Sequence, residues 1–152
     1  MKSRVEGIIS SFLNFNGKTR STGKRSRGRQ LLLDANRILV VDDDPEMCTE
    51  LGEYLGGKGY EVETTSDCVK ALVLIHEFNY DILLLDYKMR GITGIDLLKM
   101  TRNLPSSTSV FFITGEPNLQ NKLNEGHLTH KVDGWLNKPV NVTALIAMLE
   151  NA

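Results

Sequence analysis

The run Ile82-Leu83-Leu84-Leu85-Asp86 constrains this chain more than any other stretch. Four aliphatic side chains in succession leave no polar face, so the segment reads as a strand buried on both sides. Asp86 marks where burial must stop, at the carboxyl edge of that strand. A second run, Ile38-Leu39-Val40-Val41, stops the same way in Asp42-Asp43-Asp44. In an open sheet of parallel strands that edge is where ligands bind. Carboxylates brought there by two strands must hold a cation, share protons or repel one another.

Around these runs strand and helix alternate five times. Glu61 to Thr65 reads as the second strand, Val110-Phe111-Phe112-Ile113 as the fourth, ending at Thr114, and Gly134-Trp135-Leu136 as the fifth, ending at Asn137-Lys138-Pro139. Asp44 before Pro45 has the form of a helix N-cap with proline at the first helical position, and Gly56-Gly57 reads as the stop. Ser66 is the expected cap of the second helix and Asn141 of the last, which should turn Val142, Leu145, Ile146 and Leu149 inward. A third helix carries Ile95, Leu97, Leu98 and Met100, and a polar fourth one is expected around Leu119 to Leu123. The fold class is therefore α/β: a five-stranded parallel sheet, doubly wound as (βα)5, in the flavodoxin-like order 2-1-3-4-5.

With 152 residues, 41% apolar and 24% charged, the chain has the size and composition of one globular domain. Its charge is segregated. Residues 1–37 hold nine Lys and Arg against Glu6 and Asp34, while residues 38–152 hold nine against seventeen acids. Residues 1–36 read as a basic tail: Val5, Ile8, Ile9, Phe12 and Leu13 form a short amphipathic stripe. The segment Gly17 to Gln30 has too few apolar side chains to offset its ordering entropy and reads as disordered linker. The other reading of the tail is an amphipathic anchor meeting an anionic membrane or nucleic acid. Residues 37–152 form the folded domain. No stretch has the length and apolarity of a membrane span or signal peptide, and Cys48 and Cys68 suggest no disulfide framework, so a cytoplasmic protein is expected.

In the order 2-1-3-4-5, strands one, three, four and five are consecutive neighbours. Asp42, Asp43, Asp86, Thr114 and Lys138 then fall at one edge. Three carboxylates against one ammonium call for a divalent cation, and hard oxygen ligands suit Mg2+. With the charge neutralised, such a pocket can accept a phosphoryl group. Thr114 can donate to one phosphoryl oxygen, Lys138 can neutralise another, and an aspartate is a competent nucleophile for phosphorus.

Val41-Asp42-Asp43, Leu84-Leu85-Asp86 with Met89 and Gly94 downstream, Ile113-Thr114-Gly115 and Lys138-Pro139 together resemble the receiver domain of the two-component response-regulator family, in its single-domain, chemotaxis-regulator-like form. The resemblance covers residues 37–152. It implies that Asp86 is the phosphoacceptor and that Asp43 and Asp86 bind Mg2+ directly. Asp42 would act mostly through water, and Lys88 would lend its backbone carbonyl. It also implies that Thr114 and the aromatic Trp135 form the conformational switch and that the Lys138-Pro139 bond is cis. Arg90 departs from the family, which usually has proline there, and Trp135 departs from the usual Tyr or Phe.

The resemblance implies a phosphoprotein, not an enzyme in the ordinary sense: it catalyses its own phosphorylation and dephosphorylation. Its partners would be a sensor histidine kinase or histidine phosphotransfer protein and a downstream protein target. No direct DNA binding by the receiver and no output domain are expected. A dehalogenase-type phosphatase would want an acid where Lys88 stands, and a flavodoxin a hydroxyl-rich loop where the three aspartates stand. The alternative is a phosphorylation-independent pseudo-receiver acting as a docking module, which should have lost an acid, the threonine or the lysine. Lys88 and Glu116, each two positions past a site residue, are expected to pair as a lid over the pocket.

Overall fold

The computed structural model describes residues 36–101 and 104–152, and residues 1–35 of the basic tail lie outside them. β1 (Arg37–Val41), β2 (Glu61–Thr65), β3 (Ile82–Asp86), β4 (Ser109–Thr114) and β5 (Gly134–Asn137) form one sheet in the order β2-β1-β3-β4-β5. Every pairing is parallel. The helices are α1 (Pro45–Gly57), α2 (Cys68–Glu77), α3 (Gly94–Met100), α4 (Leu119–Glu125) and α5 (Val142–Glu150), with a 3-10 turn at Thr129–Lys131.

The strands' alternate residues feed two separate cores, because successive side chains point to opposite faces of the pleat. Leu39, Val41, Leu83, Leu85, Val110 and Phe112 pack with residues of α2, α3 and α4. Ile38, Val40, Ile82, Leu84, Phe111 and Ile113 pack with Leu51 and Leu55 of α1 and Leu145 and Leu149 of α5. This is why β3 needs an unbroken apolar run: all five of its residues are buried. Each such side chain is worth about 1.5–3 kcal/mol when removed from water, so a charge at Leu84 would break the domain.

The helix ends show where local rules compete. Asp44 caps α1 by accepting from the amides of Glu46 and Met47. Gly56 and Gly57 do not stop that helix but form its last turn. The stop is the left-handed Gly59 (φ 96°), with Gly59 N–H on Gly56 O at 3.0 Å and Tyr60 N–H on Leu55 O at 3.3 Å. Asp67, not Ser66, caps α2, accepting from Val69 N at 2.7 Å and Lys70 N at 2.9 Å. The Thr65 hydroxyl receives the Asp67 amide at 3.2 Å, which carries the chain one residue further before the helix begins. Asn141 caps α5 as expected, but Val142, the first residue of the helix, stays exposed although its i, i+3, i+7 spacing puts it on the stripe of Leu145 and Leu149.

Register then fixes the site. Val41 lies opposite Leu85, so Asp42 follows beside Asp86, and Asp86 lies opposite Ile113, one residue before Thr114. Lys138 N–H donates to Thr114 O at 2.9 Å and extends the β4–β5 ladder past Asn137. Gly94 opens α3 directly against β3: a Cβ there would collide with the Asp86 carbonyl oxygen and sit 2.6 Å from the Phe112 ring. Only glycine allows that approach.

Candidate functional site

Three aspartates, a threonine and a lysine meet at the carboxyl edge of the sheet. Asp42 is 2% exposed, Asp86 5% and Thr114 0%, while Asp43 and Lys138 keep 28% and 26% of their side chains open to water. One carboxylate oxygen from each of Asp42, Asp43 and Asp86 lies within 4.8 Å of the others. The Lys138 ammonium reaches in from the end of β5, 2.7 Å from Asp42 Oδ2 and 3.2 Å from Asp86 Oδ2. The Lys138-Pro139 bond is cis.

Each carboxylate is held by a main-chain donor as well. Asp44 N–H donates to Asp42 Oδ1 at 2.9 Å, Lys88 N–H to Asp86 Oδ1 at 3.3 Å and Arg90 N–H to Asp43 Oδ2 at 3.1 Å. Lys88 also bridges to Thr93, which closes the loop after β3. The Arg90 contact is one a proline could not make, since proline has no amide proton. Its guanidinium adds an exposed contact, Nε to Asp43 Oδ2 at 3.7 Å. The Cys48 thiol points at the Asp42 carbonyl oxygen (3.2 Å), and burial pushes its pKa up.

One ammonium does not satisfy two buried carboxylates. Burial first, and then the neighbouring charge of Asp42, raise the pKa of Asp86 despite Lys138. Burial also works against the Lys138 cation, but its contacts with Asp42 and Asp86 outweigh that and raise its pKa. The pocket is thus negative, rigidly held and made of hard oxygen donors, which is the chemistry of a divalent-cation site.

Thr114 Oγ1 accepts from Glu116 N–H at 3.0 Å. Trp135 lies on the edge strand β5 opposite Phe112 and is 38% exposed. The expected Lys88–Glu116 pair is not formed: Glu116 Oε2 lies 3.3 Å from Lys122, and among the described residues no ion pair joins it to Lys88. Lys122 on α4 escaped the sequence reading because that short polar helix has no strong periodicity to orient it. Arg90 was visible only as a departure from proline. Its contact with Asp43 spans 47 positions and had no local signal.

The profile of the response regulator receiver domain matches residues 38–150. The two-component response regulator PhoP of Pseudomonas aeruginosa is 30% identical over 113 residues, which are 74% of this chain and 49% of that protein. The sensor histidine kinase RcsC of Escherichia coli is 33% identical over 112 residues, 74% of this chain and 12% of the kinase. The crystal structure of the CheY-like receiver domain protein from Methanospirillum hungatei JF-1 superposes with a TM-score of 0.69 at 28% identity, covering 76% of this chain and 91% of that one. The response regulator TrrA from Thermotoga maritima, solved in complex with Mg(2+)-BeF, gives a TM-score of 0.67 at 28% identity, covering 76% and 97%.

The chain belongs to the response regulator receiver domain family of two-component phosphorelays. Domains of this family are signalling phosphoacceptors with an acidic, magnesium-binding pocket, and its members include the receiver portions of sensor kinases. The chain spans about half the length of the first curated relatives it matches, at 49%, 43% and 44%. Among the described residues no helix is long and apolar enough to cross a membrane.

Proposed function

We propose that Asp86 accepts a phosphoryl group from a phosphohistidine and that the resulting acyl phosphate is the signal. One observation carries this reading: a buried aspartate whose charge is left partly uncompensated, 3.2 Å from an ammonium and within 4.8 Å of two further carboxylates. An Asp86 oxygen attacks phosphorus in line. The P–O bond forms as the P–N bond breaks, and the departing electron pair stays on the imidazole nitrogen, which takes up a proton. Lys138 meets the charge gathering on the phosphoryl oxygens, and the Thr114 hydroxyl donates to another of them.

Asp42, Asp43 and Asp86, with the backbone carbonyl of Lys88, are the groups that would hold Mg2+. When bound, the ion supplies the positive charge that three carboxylates need before a phosphoryl group can approach. The donor is a sensor histidine kinase or a histidine phosphotransfer protein in the cytoplasm. Output passes by protein contact or onward phosphorelay, with Thr114 and Trp135 relaying the change toward β4 and β5. Residues 37–152 carry this activity and residues 1–36 are a basic appendage. The set of acids, threonine and lysine is complete, which leaves no reason to prefer a phosphorylation-independent docking role.

The test is intact-mass spectrometry after mixing with acetyl phosphate and Mg2+. A single added phosphoryl mass is expected, absent when the ion is chelated and absent in Asp86→Asn. No uptake by the unaltered protein would overturn the reading.

A further inference from the structure

We propose that Lys122 is a positioning residue for the phosphoryl-transfer site, clasping together the two loops that follow Asp86 and Thr114; this rests on the acceptor reading above. The Lys122 ammonium donates to the Tyr87 hydroxyl at 3.0 Å and sits 4.7 Å from the centre of the same ring. It is also 3.3 Å from Glu116 Oε2. Tyr87 is the residue after Asp86, and Glu116 is two residues after Thr114. One side chain on α4 therefore ties the tip of β3 to the tip of β4.

The tie reaches Thr114 through a short chain of bonds. Glu116 is held at both carboxylate oxygens, by Lys122 at 3.3 Å and by Asn118 N–H at 3.4 Å. Its own amide donates to Thr114 Oγ1 at 3.0 Å. A hydroxyl that accepts along one fixed direction has its rotation restricted, and its proton is left to donate elsewhere. Thr114 is fully buried, so no water competes for that proton. Its orientation is set by where the Glu116 amide stands, and that is set by Lys122. The hydrogen bond from Lys122 to Tyr87, then that to Glu116, raises the lysine's pKa, so the clasp stays charged at neutral pH.

Releasing the clasp leaves the acids and Lys138 in place but lets the threonine hydroxyl wander. The loss should fall on phosphoryl recognition and not on the cation. The threonine's hydrogen bond is loosened and not removed, so Lys122→Met should weaken beryllofluoride binding in the presence of Mg2+ by roughly three- to tenfold, less than the loss of a whole charge-assisted bond. The rate of uptake from acetyl phosphate should fall by a similar factor. Lys122→Arg should restore most of both, and Tyr87→Phe should show a smaller loss in the same direction. Affinity for Mg2+ alone, read by calorimetry, should change less than about twofold.

The deciding arm is the Thr114→Ala background. If Lys122 acts through that hydroxyl, adding Lys122→Met there should produce no further loss. Equal losses with and without the hydroxyl would overturn the proposal. So would a parallel loss of Mg2+ affinity, or beryllofluoride binding by Lys122→Met indistinguishable from the parent. Absence of phosphoryl uptake in the parent protein would overturn the acceptor reading and this inference with it, whereas normal uptake with an inert Lys122 overturns the inference alone.

Discussion

The two ends of the sheet both gather charge, and they treat it differently. At the amino edge, Arg37 faces Glu61 and Glu63, with nitrogen–oxygen distances of 3.2 and 3.6 Å. Its guanidinium lies 5.1 Å from the centre of the Phe78 ring and 4.9 Å from that of Tyr80. Tyr80 OH donates to Glu63 at 2.6 Å, and the Arg37 amide donates to Asp81 Oδ2 at 2.7 Å. The acids there are open to water as well, with 66% of the Glu61 side chain and 34% of the Glu63 side chain exposed. Only the Arg37 Nε–H is poorly aimed, close to Glu61 without making a hydrogen bond. At the carboxyl edge, Lys138 serves two buried aspartates at once and a third stands nearby. Both edges set one cation against three carboxylates, but an edge whose surplus acids reach water can stabilise the fold. An edge that buries its surplus is poised to bind something, and that contrast locates function more surely than the presence of charge alone.

Removing the cation at each end should separate the two roles. Arg37→Ala strips two ion pairs and two ring contacts from a partly exposed side chain and should cost roughly 2 kcal/mol, read by urea unfolding. Mg2+ should recover none of it. Lys138→Met should cost about 1–2 kcal/mol without metal, and saturating Mg2+ should recover most of that by taking over the neutralising charge. Equal insensitivity to Mg2+ in both variants would erase the comparison.

The surplus itself can be removed. Asp86→Asn should raise metal-free stability by about 1 kcal/mol at neutral pH, since it deletes one of two buried like charges. The sign has a pH signature. Burial and then Asp42 raise the Asp86 pKa above its ordinary 3.8, so between that value and the raised one the folded state holds the extra proton. Stability should fall as pH climbs through that window in the parent protein, and the fall should be shallower in Asp86→Asn. A variant whose profile overlays the parent's would count against the buried-charge account.

The smallest effect is expected at the rim. Arg90→Ala removes an exposed guanidinium 3.7 Å from Asp43 but keeps the main-chain amide on it. Exposed pairs contribute about 0–1 kcal/mol, so Mg2+ affinity by calorimetry should rise by no more than about threefold. A fall in affinity would show that the side chain supports the cluster instead of competing for it.

What the sequence made legible follows from range. Two apolar runs ending in acid name their own strands, and the fivefold alternation of strand and helix fixes the order, because a doubly wound parallel sheet has few alternatives. Features settled by a single local contest were missed. Ser66 and Asp67 can both cap, and only the Thr65 hydroxyl decides between them. Gly56-Gly57 looks like a stop, yet the positive φ falls at Gly59. The long-range partners were the least readable. Glu116 was assigned to Lys88 because both sit two places past a site residue, while the structure gives it Lys122, six residues on in α4. Arg37 showed nothing in sequence until the parallel register set it opposite Glu61.

The central claim is that the surplus at the carboxyl edge exists to take a phosphoryl group on Asp86 and no other acid. It is tested most directly by borohydride reduction of the acetyl-phosphate-treated protein followed by peptide mapping. Reduction converts an aspartyl phosphate into homoserine and so marks the acceptor covalently. The account predicts homoserine at position 86 alone, dependent on Mg2+. Homoserine at position 42 or 43, or at several positions without preference, would contradict it.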